Sequence, residues 1–248
     1  MQTGFVLDYL RETITKHKAG YLVLIDPDQV SVSDCIESAH QAEEAGTDAL
    51  LLGGSFLTTD LQPVAETLKK ETRIPIILFP GDAMHLSPHA DAILYLSLIS
   101  GRNANFLIGE QVKAAPRLRQ YGIEPIPTGY MLIDSGRPTS VGFMSGTTPL
   151  PRDKFDLAWA HALAAEYLGM QLIYLEAGSG AEYPVPDQMI AAVKEHISIP
   201  VLLGGGITTP EIAAQKVEAG ADFIVTGTAI ENSRSLTLMK QFADAVHG

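Results

Sequence analysis

The segment YLEAGSG, residues 174–180, decides the fold of this chain. It joins an apolar run, residues 171–175, to a single carboxylate, Glu176, and then to a loop of small residues. A buried strand followed by glycines is how α/β proteins bring backbone N–H groups up to an anion. Two more strand-and-glycine units follow, at residues 200–207 and 222–228. Three such turns in succession predict one phosphate site, with Glu176 as its nearest acid.

Apolar runs of strand length also alternate with helical patterns in the earlier part of the chain. Such runs stand before the three units above, at 21–25, 48–52, 74–79, 91–96 and 123–133. Helical spacing of apolar residues predicts helices at 5–16, 33–45, 61–70, 106–118, 154–168, 185–195, 210–218 and 235–246, with Gly46 ending the second.

Two places depart from this alternation. The third strand is followed by the turn-rich segment 82–90, where no convincing helix is predicted. Pro125, Pro127 and Gly129 are expected to interrupt the fifth strand, and residues 134–151 have the composition of a long loop. Eight strands in 248 residues favour a closed (β/α)8 barrel over a doubly wound sheet, and no linker indicates more than one domain over residues 1–248. The site of such a barrel lies at the carboxyl ends of its strands.

The composition excludes several classes of protein. The formal net charge is −12, and no basic stripe is present, so nucleic acid is not an expected partner. No apolar run approaches the roughly 18 residues of a membrane span, and the charged N-terminal segment is unlike a signal peptide. Cys35 is the only cysteine, which excludes an internal disulfide. We expect a soluble, cytoplasmic protein whose phosphate ligand is held by backbone amides, a metal or isolated cations.

Asp26 and Asp28 follow the first strand, and Ser55 follows the second. Asp26 stands at the end of the barrel where a carboxylate can hold Mg²⁺ together with phosphate oxygens of a substrate. Ser55 can offer a hydroxyl to the same ion, although Gly-Gly-Ser is also ordinary turn sequence. Asp28 is separated from the strand by Pro27, and such aspartates often only form turns or cap helices.

Glu176 is the strongest candidate for acid–base chemistry. A carboxylate that ends an apolar strand needs a partner or a shifted pKa, since its burial is costly. It is a candidate base or acceptor for a substrate hydroxyl, with a salt bridge or a backbone cap as the structural alternative. Tyr174 shares its face in a regular strand. Tyr174 and Tyr130 can each hydrogen-bond a ligand or fill the barrel mouth.

Other residues are interpreted as structural. His85 and His89 are four residues apart but lack a third ligand, so we interpret them as surface histidines. Neither a G-x-x-x-x-G-K-[ST] loop nor a G-x-G-x-x-G loop is present. Arg102 offers an isolated cation after the fourth strand.

Six segments in order, LIDPD, LLGGS, ILFPG, YLEAGSG, LLGGGI and FIVTGTAIE, resemble the geranylgeranylglyceryl phosphate synthase family, its second group in particular. The similarity covers nearly the whole chain. It implies a modified TIM barrel that lacks the helix after strand three. It also implies a magnesium-dependent prenyltransferase, in which the 3-hydroxyl of sn-glycerol 1-phosphate attacks C1 of geranylgeranyl diphosphate and diphosphate leaves. The product would serve ether-lipid synthesis.

The resemblance also implies roles for individual residues. Asp26 and Ser55 would hold Mg²⁺, and Glu176 would be catalytic. Glycerol phosphate would be bound by the residues that match the family's loops, namely Tyr174, Leu175, Glu176, Ala177, Gly178, Ser179, Gly180, Gly205, Gly206, Gly227 and Thr228. Apolar residues at 94–99, with Tyr130, would line a groove for the prenyl diphosphate tail.

Two positions depart from the family pattern. First-group relatives have a lysine two residues before the first aspartate, where this chain has Leu24, and Gln29 stands where a lysine often follows D-P-D. Arg102 is the candidate for part of the missing positive charge. The mean hydropathy of +0.13 predicts that part of the helical surface is buried in a homo-oligomer.

Two other functions stay open at the level of sequence. One is another phosphate-binding TIM-barrel enzyme, such as a sugar-phosphate isomerase, which would use Asp26 and Glu176 but would not need a long apolar groove. The other is a non-catalytic binder of a phosphorylated metabolite that kept the glycine loops.

Overall fold

The chain folds into a closed barrel of eight parallel strands, which adjoin one another in sequence order. A computed structural model describes residues 4–248. The strands are β1 Gly20–Ile25, β2 Ala49–Gly53, β3 Ile76–Phe79, β4 Ala92–Leu98, β5 Glu124–Leu132, β6 Leu172–Glu176, β7 Val201–Gly204 and β8 Phe223–Thr226. β8 pairs with β1 and closes the barrel.

Helices surround the barrel, except after β3. They are α1 Phe5–Lys16, α2 Val32–Ala45, α3 Leu61–Glu71, a π-helix Asn105–Gly109 that continues into α4 Glu110–Tyr121, α5 Ser140–Ser145, α6 Phe155–Tyr167, α7 Asp187–His196, α8 Pro210–Glu218, α9 Thr228–Ser233 and α10 Leu236–His247. Between Phe79 and Ala92 the chain forms no helix. The predicted barrel lacking the helix after strand three is therefore confirmed. No helix between residues 4 and 248 is long and apolar enough to cross a membrane.

The strands are buried on both faces because they separate two apolar layers. Leu22, Leu51 and Ile77 point into the barrel, where they pack with Phe223. Their neighbours along the strands, such as Val23, Leu50 and Leu52, pack outward against the helices. Continuous apolar runs are the expected sequence pattern for such strands. The helix boundaries also follow local sequence signals, since Ser31 forms a capping box with Asp34 at the start of α2 and Gly46 ends that helix with a φ of 84°.

The prediction that prolines interrupt the fifth strand is wrong. β5 runs without a break from Glu124 to Leu132 and pairs with β4 along its first seven residues. The carbonyl of Pro127 accepts a hydrogen bond from Gln171, next to β6, so the missing N–H groups of Pro127 and Pro125 also face β6. The β6 ladder begins only at Thr128. Both prolines therefore lie where no strand partner needs their N–H.

Two short helices were not predicted. The segment predicted as a long loop at 134–151 contains α5, which Thr139 caps through a hydrogen bond from the N–H of Gly142 and which Gly146 ends. The other, α9, follows β8 directly. Helices of six residues give too short a periodic pattern for sequence reading.

Aspartates at the amino ends of three strands fix the strand register on the face away from the glycine loops. Asp48, Asp91 and Asp222 each accept a hydrogen bond from the first or second N–H of the preceding strand, at 2.7–2.9 Å. The donors are Tyr21, Ile76 and Val201. Each carboxylate is also paired with a basic side chain, respectively His247, Lys69 and Lys194.

Helix α1 closes this amino-terminal face. The carboxylate of Glu124, buried at the start of β5, accepts hydrogen bonds from the N–H groups of Val6 at 2.7 Å and Leu7 at 3.1 Å. These donors belong to the first turn of α1, whose N–H groups have no partner within the helix. The acid therefore holds the helix across the base of the barrel, and the opposite face remains for ligands.

Candidate active site

Glu176 lies at the carboxyl end of β6 and is only 6% exposed. Its Oε1 accepts a hydrogen bond from the N–H of Gly178 at 2.5 Å. The hydroxyl of Tyr174 donates a second hydrogen bond to the same carboxylate. The predicted shared face of Tyr174 and Glu176 is therefore present in the structure.

Burial raises the pKa of Glu176 to about 7, although the hydrogen bonds from Gly178 and Tyr174 act in the opposite direction. Burial also raises the pKa of the Tyr174 hydroxyl well above its ordinary value, and the neighbouring Glu176 charge adds to this effect. The same two causes raise the pKa of Tyr130. Near neutral pH, Glu176 is thus the group of the three that exchanges a proton, which is the property required of a general base.

The loop after β7 makes close contact with Glu176. Gly205 has a φ of 83°, and a Cβ at this position would lie 2.6 Å from Glu176 Oε1 and 2.6 Å from the backbone nitrogen of Gly178. Gly206 also has a positive φ, of 72°, and packs against the backbone of Pro184. Only glycine suits these two positions, because both the conformation and the close approach exclude a side chain.

The loops after β6 and β8 also meet. Ser179 Oγ lies 3.2 Å from Thr228 Oγ1, and Thr228 begins α9 directly after Gly227. The predicted loops at 174–180, 205–206 and 227–228 therefore form one cluster at the barrel mouth. Leu175 and Ala177 belong to the outer apolar layer, so they can reach a ligand only through their backbone atoms.

Asp26 lies against Gly54, in the loop that carries Ser55. The Oδ2 of Asp26 lies 2.9 Å from where a Cβ on Gly54 would stand, and Ser55 is the next residue. Oδ1 of Asp26 accepts a hydrogen bond from the N–H of Asp28 at 3.0 Å. Within residues 4–248, neither Asp26 Oδ2 nor Ser55 Oγ makes a hydrogen bond. A carboxylate oxygen and a hydroxyl, both uncommitted, are ligands that suit a hard cation.

Asp28 has a structural role. Its carboxylate accepts hydrogen bonds from the N–H and hydroxyl of Thr58 and from the N–H of Thr59, at 2.7–3.0 Å. Hydrogen bonds from Thr59 and Thr58 lower the pKa of Asp28 to about 2. Asp28 thus ties the loop after β1 to the loop after β2, which holds Gly54 and Ser55 next to Asp26.

Glu231 was missed by the sequence analysis as a site residue. It lies on α9, and its carboxylate accepts a hydrogen bond from the backbone N–H of Asp26. Burial, and then the charge of Asp26, raise the pKa of Glu231. The sequence did contain a signal for this residue, since Glu231 is the acid that ends the FIVTGTAIE segment.

An apolar groove leaves the barrel mouth beside Ser55. The space between its atoms amounts to about 770 Å³, a volume that includes open solvent at the mouth. It passes between β3 and β4, which pair at only two positions, whereas β4 pairs with β5 at seven. The groove is lined on β4 by Ile93, Leu94, Tyr95, Leu96 and Leu98, and elsewhere mainly by Phe79, Leu86, Phe106, Ala114, Tyr130 and Val141.

The missing helix and the π-helix together shape this groove. No helix follows β3 to pack on this side of β4. The π-helix and the start of α4 form the facing wall, and two side-chain hydrogen bonds join this wall to β4. Ser97 Oγ donates to the carbonyl of Leu107 at 2.8 Å, and the Gln111 amide donates to the carbonyl of Leu96. π-Helical turns often mark functional sites, so this wall is a candidate ligand contact.

Three other sequence-based expectations have clear structural outcomes. Leu24 packs against Gly227, 3.4 Å from where its Cβ would stand, so an aliphatic side chain occupies the position of the missing lysine. Arg102 donates hydrogen bonds to the carbonyls of Ile99 and Gly101 and contacts His161 on α6. Its guanidinium is therefore bound to these groups, and Arg102 is not one of the residues that line the groove. The prediction that His85 lies at the surface is wrong, since it is 8% exposed and its Nδ1 accepts the N–H of Gly81.

Comparison with known proteins identifies the family. The model of the PcrB family matches residues 12–246. The chain belongs to this family. It is 45% identical over 243 residues to the geranylgeranylglyceryl phosphate synthase of Spirosoma linguale, covering 96% of this chain and 98% of the relative. It is also 45% identical over 238 residues to the synthase of that name from Thermococcus kodakarensis, covering 95% and 93%.

A solved structure of this kind has the same fold. It is (S)-3-O-geranylgeranylglyceryl phosphate synthase from Thermoplasma acidophilum in complex with its substrate sn-glycerol-1-phosphate. The two chains superpose with a TM-score of 0.92 at 38% identity, and the match covers 100% of this chain and 99% of the other. The resemblance to the synthase family is therefore confirmed over the whole described barrel.

Proposed function

We propose that this chain is a geranylgeranylglyceryl phosphate synthase. It joins the 3-hydroxyl of sn-glycerol 1-phosphate to C1 of geranylgeranyl diphosphate through an ether bond and releases diphosphate. The observation that supports this most directly is the arrangement at the barrel mouth. A buried carboxylate with a pKa near 7 lies among three glycine loops, and an apolar groove opens beside Asp26 and Ser55.

The glycerol phosphate is held by the loops after β6, β7 and β8. The chain carries a net charge of −12, so backbone N–H groups are the main candidates to bind the phosphate. Gly178, Ser179 and Gly180 approach it from one side, with Gly205, Gly206, Gly227 and Thr228 on the other. The structure of the Thermoplasma acidophilum synthase with bound sn-glycerol-1-phosphate supports this choice of substrate.

Glu176 acts as the general base, and Tyr174 positions it. As the new C–O bond forms, the hydroxyl proton of the glycerol passes to the Glu176 carboxylate. The bond between C1 and the diphosphate oxygen breaks, and the electron pair leaves with the diphosphate. A base with a pKa near the working pH can accept this proton and then return it to water.

Asp26 and Ser55 are the residues that would hold Mg²⁺. Mg²⁺ is typically bound by one or two carboxylates together with phosphate oxygens of the substrate, and the uncommitted Asp26 oxygen and Ser55 hydroxyl fit that pattern. When bound, the ion neutralises negative charge on the leaving diphosphate. The hydrogen bond from the Asp26 N–H to Glu231 helps to fix the loop that carries Asp26.

The prenyl tail occupies the groove between β3 and β4. Leu94, Leu96, Phe106 and Tyr130 line it, so that burial of the tail removes a long apolar surface from water. This feature distinguishes the proposed function from the alternatives. A sugar-phosphate isomerase or a binder of a small phosphorylated metabolite has no use for an apolar groove next to the phosphate loops.

We also propose that the enzyme acts in the cytoplasm as a homo-oligomer. Phe143 on α5 is 85% exposed, and Tyr167 and Leu168 at the end of α6 are also exposed. Contacts between subunits would remove such side chains from water. Sedimentation of the purified chain tests the oligomer directly.

The function is tested by incubating the protein with sn-glycerol 1-phosphate, geranylgeranyl diphosphate and Mg²⁺. We expect release of diphosphate together with a product that partitions into organic solvent and has the mass of the ether. The enantiomer, sn-glycerol 3-phosphate, is the substrate control and should react much more slowly. Diphosphate release without the ether, or no reaction with any prenyl diphosphate, would rule out the proposed function.

A further inference from the structure

The loops after β1, β2 and β3 are packed against one another at the barrel mouth. Gly54, in the loop after β2, lies against Asp26, since a Cβ at Gly54 would stand 2.9 Å from Asp26 Oδ2. The same loop also contacts Gly81, in the loop after β3. A Cβ at Gly81 would stand 2.6 Å from the carbonyl oxygen of Ser55 and 2.7 Å from that of Gly54. The residues next to Ser55 are therefore packed against the loops of both Asp26 and Gly81.

The contact between Gly81 and the Ser55 loop is made by backbone atoms on both sides. A side chain at position 81 would overlap with these backbone atoms, which cannot turn away as the end of a flexible side chain can. The position of Ser55 therefore depends on where the backbone of Gly81 lies.

His85 fixes Gly81 from within the segment after β3. The ring of His85 is buried, and its Nδ1 accepts a hydrogen bond from the N–H of Gly81 at 3.1 Å. Nδ1 needs a lone pair for this contact, so the neutral ring has its proton on Nε2. Nε2 lies 3.8 Å from Asp82 Oδ1, which is beyond hydrogen-bond distance. Within residues 4–248, the hydrogen bond of this ring is thus the one to Gly81.

The backbone around His85 is fixed independently of the ring. The N–H of His85 donates to the carbonyl of Asp82 at 3.3 Å, and Asp82 Oδ1 accepts the N–H of Met84 at 2.7 Å. The N–H of Ala83 donates to Glu110 Oε2, at the start of α4, at 2.9 Å. Removal of the imidazole therefore leaves the turn with its own hydrogen bonds and releases the N–H of Gly81.

We propose that His85 is a positioning residue for the metal and diphosphate site. Through Gly81 it holds the peptide of Ser55 in place beside Asp26. The inference rests on the proposed function and assigns the residue that fixes the third of three neighbouring loops, as Asp28 joins the first two. Mg²⁺ requires nearly ideal octahedral geometry, so a small displacement of one ligand weakens its binding.

The test measures binding rather than turnover. The probe is Mg²⁺ with inorganic diphosphate, added to protein that is already saturated with sn-glycerol 1-phosphate, so that the loops after β6, β7 and β8 are occupied. Titration calorimetry gives the dissociation constant. We expect His85→Ala to raise it about 5-fold, an effect of the size of one hydrogen bond. The dissociation constant of sn-glycerol 1-phosphate alone should stay within about twofold of wild type, because its loops lie on other strands.

Three matched variants locate the effect. In His85→Asn the amide oxygen can take the place of Nδ1 and accept the Gly81 N–H, so this variant should restore the wild-type constant. The longer side chain of His85→Gln places its amide near the position of Nε2, so it should behave like His85→Ala. Ser87→Ala removes a different buried hydrogen bond of the same segment, from the N–H of His89 at 3.3 Å. It should lower the melting temperature but leave the constant unchanged.

Nuclear magnetic resonance checks the hydrogen bond itself, without any ligand. Long-range ¹H–¹⁵N spectra of protein labelled with ¹⁵N-histidine, recorded near pH 8, should show the His85 ring with its proton on Nε2. The signal is assigned by its loss in His85→Asn. Exchange of the Gly81 amide proton should be faster in His85→Ala and His85→Gln than in the wild type and His85→Asn. If His85→Ala does not fold, His85→Gln, which is closer in size to histidine, takes its place in every comparison.

Several results would overturn the proposal. One is wild-type affinity for Mg²⁺ with diphosphate in folded His85→Ala or His85→Gln protein, and another is the same loss of affinity in His85→Asn. An equal loss for sn-glycerol 1-phosphate, or in Ser87→Ala, would show a general effect on folding. A proton on Nδ1 of His85 would show that the ring does not accept from Gly81. The proposed function fails separately, if wild-type protein binds Mg²⁺ with diphosphate but forms no ether with any prenyl diphosphate.

Discussion

The hydroxyl of Tyr174 donates a hydrogen bond to the carboxylate of Glu176, two residues further along the same strand. Both side chains are buried. The charge of Glu176 disfavours ionisation of Tyr174, whereas the Tyr174 hydroxyl favours ionisation of Glu176. Because the pKa of Tyr174 is raised well above its ordinary value, the tyrosine keeps its proton while Glu176 titrates near pH 7. Under the proposed function, the rate should therefore depend on the protonation of Glu176.

Glu176→Gln is expected to lower kcat by about 10²–10⁴-fold, the usual contribution of a general base. The glutamine keeps the shape and an oxygen that can accept from Tyr174 and Gly178, but it cannot take a proton. The KM for glycerol phosphate should change much less, since the glycine loops hold the phosphate. Steady-state kinetics with varied glycerol phosphate check this. An unchanged kcat with a raised KM would reduce Glu176 to an anchor for the substrate hydroxyls.

Tyr174→Phe is expected to move the pH dependence of the reaction. In the wild type, kcat/KM should rise with pH and level off above about 7, as Glu176 loses its proton. The Tyr174 hydrogen bond favours the ionised carboxylate, so its removal should raise the pKa of Glu176 and shift this limb to higher pH. Rate profiles between pH 5 and 9 measure the shift, and an unmoved limb would show that the rise reports another group.

Burial of Glu176 should make the wild type less stable as pH rises. Its folded pKa of about 7 lies above the ordinary glutamate pKa of 4.5, so the folded state binds the extra proton between these values. Stability therefore falls as pH increases through this window, by about 3 kcal/mol at most. Glu176→Gln lacks this loss and should be the more stable protein at pH 8 but not at pH 4.5. Urea unfolding at both pH values measures the difference, and equal unfolding free energies at pH 8 would contradict it.

Asp26→Asn and Asp28→Asn form a matched pair. Asp26→Asn should nearly abolish turnover and leave the melting temperature close to wild type, because its Oδ2 makes no hydrogen bond within residues 4–248. Asp28→Asn should cost about 1 kcal/mol of stability, since it weakens the hydrogen bonds to Thr58 and Thr59, and should keep most activity at saturating Mg²⁺. Activity titrated with Mg²⁺, beside thermal melts, separates the two. Normal turnover by Asp26→Asn at ordinary Mg²⁺ would remove it from the metal site.

Gly227→Val should raise the KM for glycerol phosphate far more than that for the prenyl diphosphate. The atoms nearest to a Cβ at Gly227 are those of Leu24, at 3.4 Å, so a Cβ makes ordinary contact with the protein there but would block the approach of a phosphate. The melting temperature should therefore hold. Gly205→Val provides the contrast, because its φ of 83° and its contacts with Glu176 and Gly178 predict lost stability and lost kcat together. Equal effects of Gly227→Val on both substrates would show that this loop is structural.

Much of the barrel could be predicted because strands buried on both faces leave a continuous apolar pattern. The runs at Tyr21 and Ile173 form β1 and β6, where the pattern placed them. The predictions failed where a partner that is distant in sequence determines the local structure. Pro125 and Pro127 are tolerated in β5 only because the β6 ladder begins after them, which no local signal contains.

The site was predictable in its loops and in part of the groove lining, since Leu94, Leu96, Leu98 and Tyr130 line the groove as expected, but the shape of the groove was not predictable. The glycine segments and Asp26 are contiguous motifs, whereas the groove is made by the early separation of β3 from β4 and by a π-helix against it. Glu110 reads in sequence as an ordinary charged residue in the first turn of a helix. Its contact with Ala83 joins residues 27 positions apart, across a helix that is missing. Such contacts depend on the assembled barrel.

Three aspartates, which precede β2, β4 and β8, divide six strands of the barrel into three pairs that are joined at their starts. Asp48, Asp91 and Asp222 each lock the start of one strand to the start of the next, which makes β1–β2, β3–β4 and β7–β8 units with a fixed offset. A register shift of one residue in any pair would break this hydrogen bond and move every side chain of that strand to the opposite face of the sheet. Under the proposed function, acids at one rim of the barrel fix the strand alignment while acids at the other rim take part in the reaction. A substitution of Glu176 or Asp26 therefore leaves these three aspartate hydrogen bonds, and with them the alignment of the strands, intact.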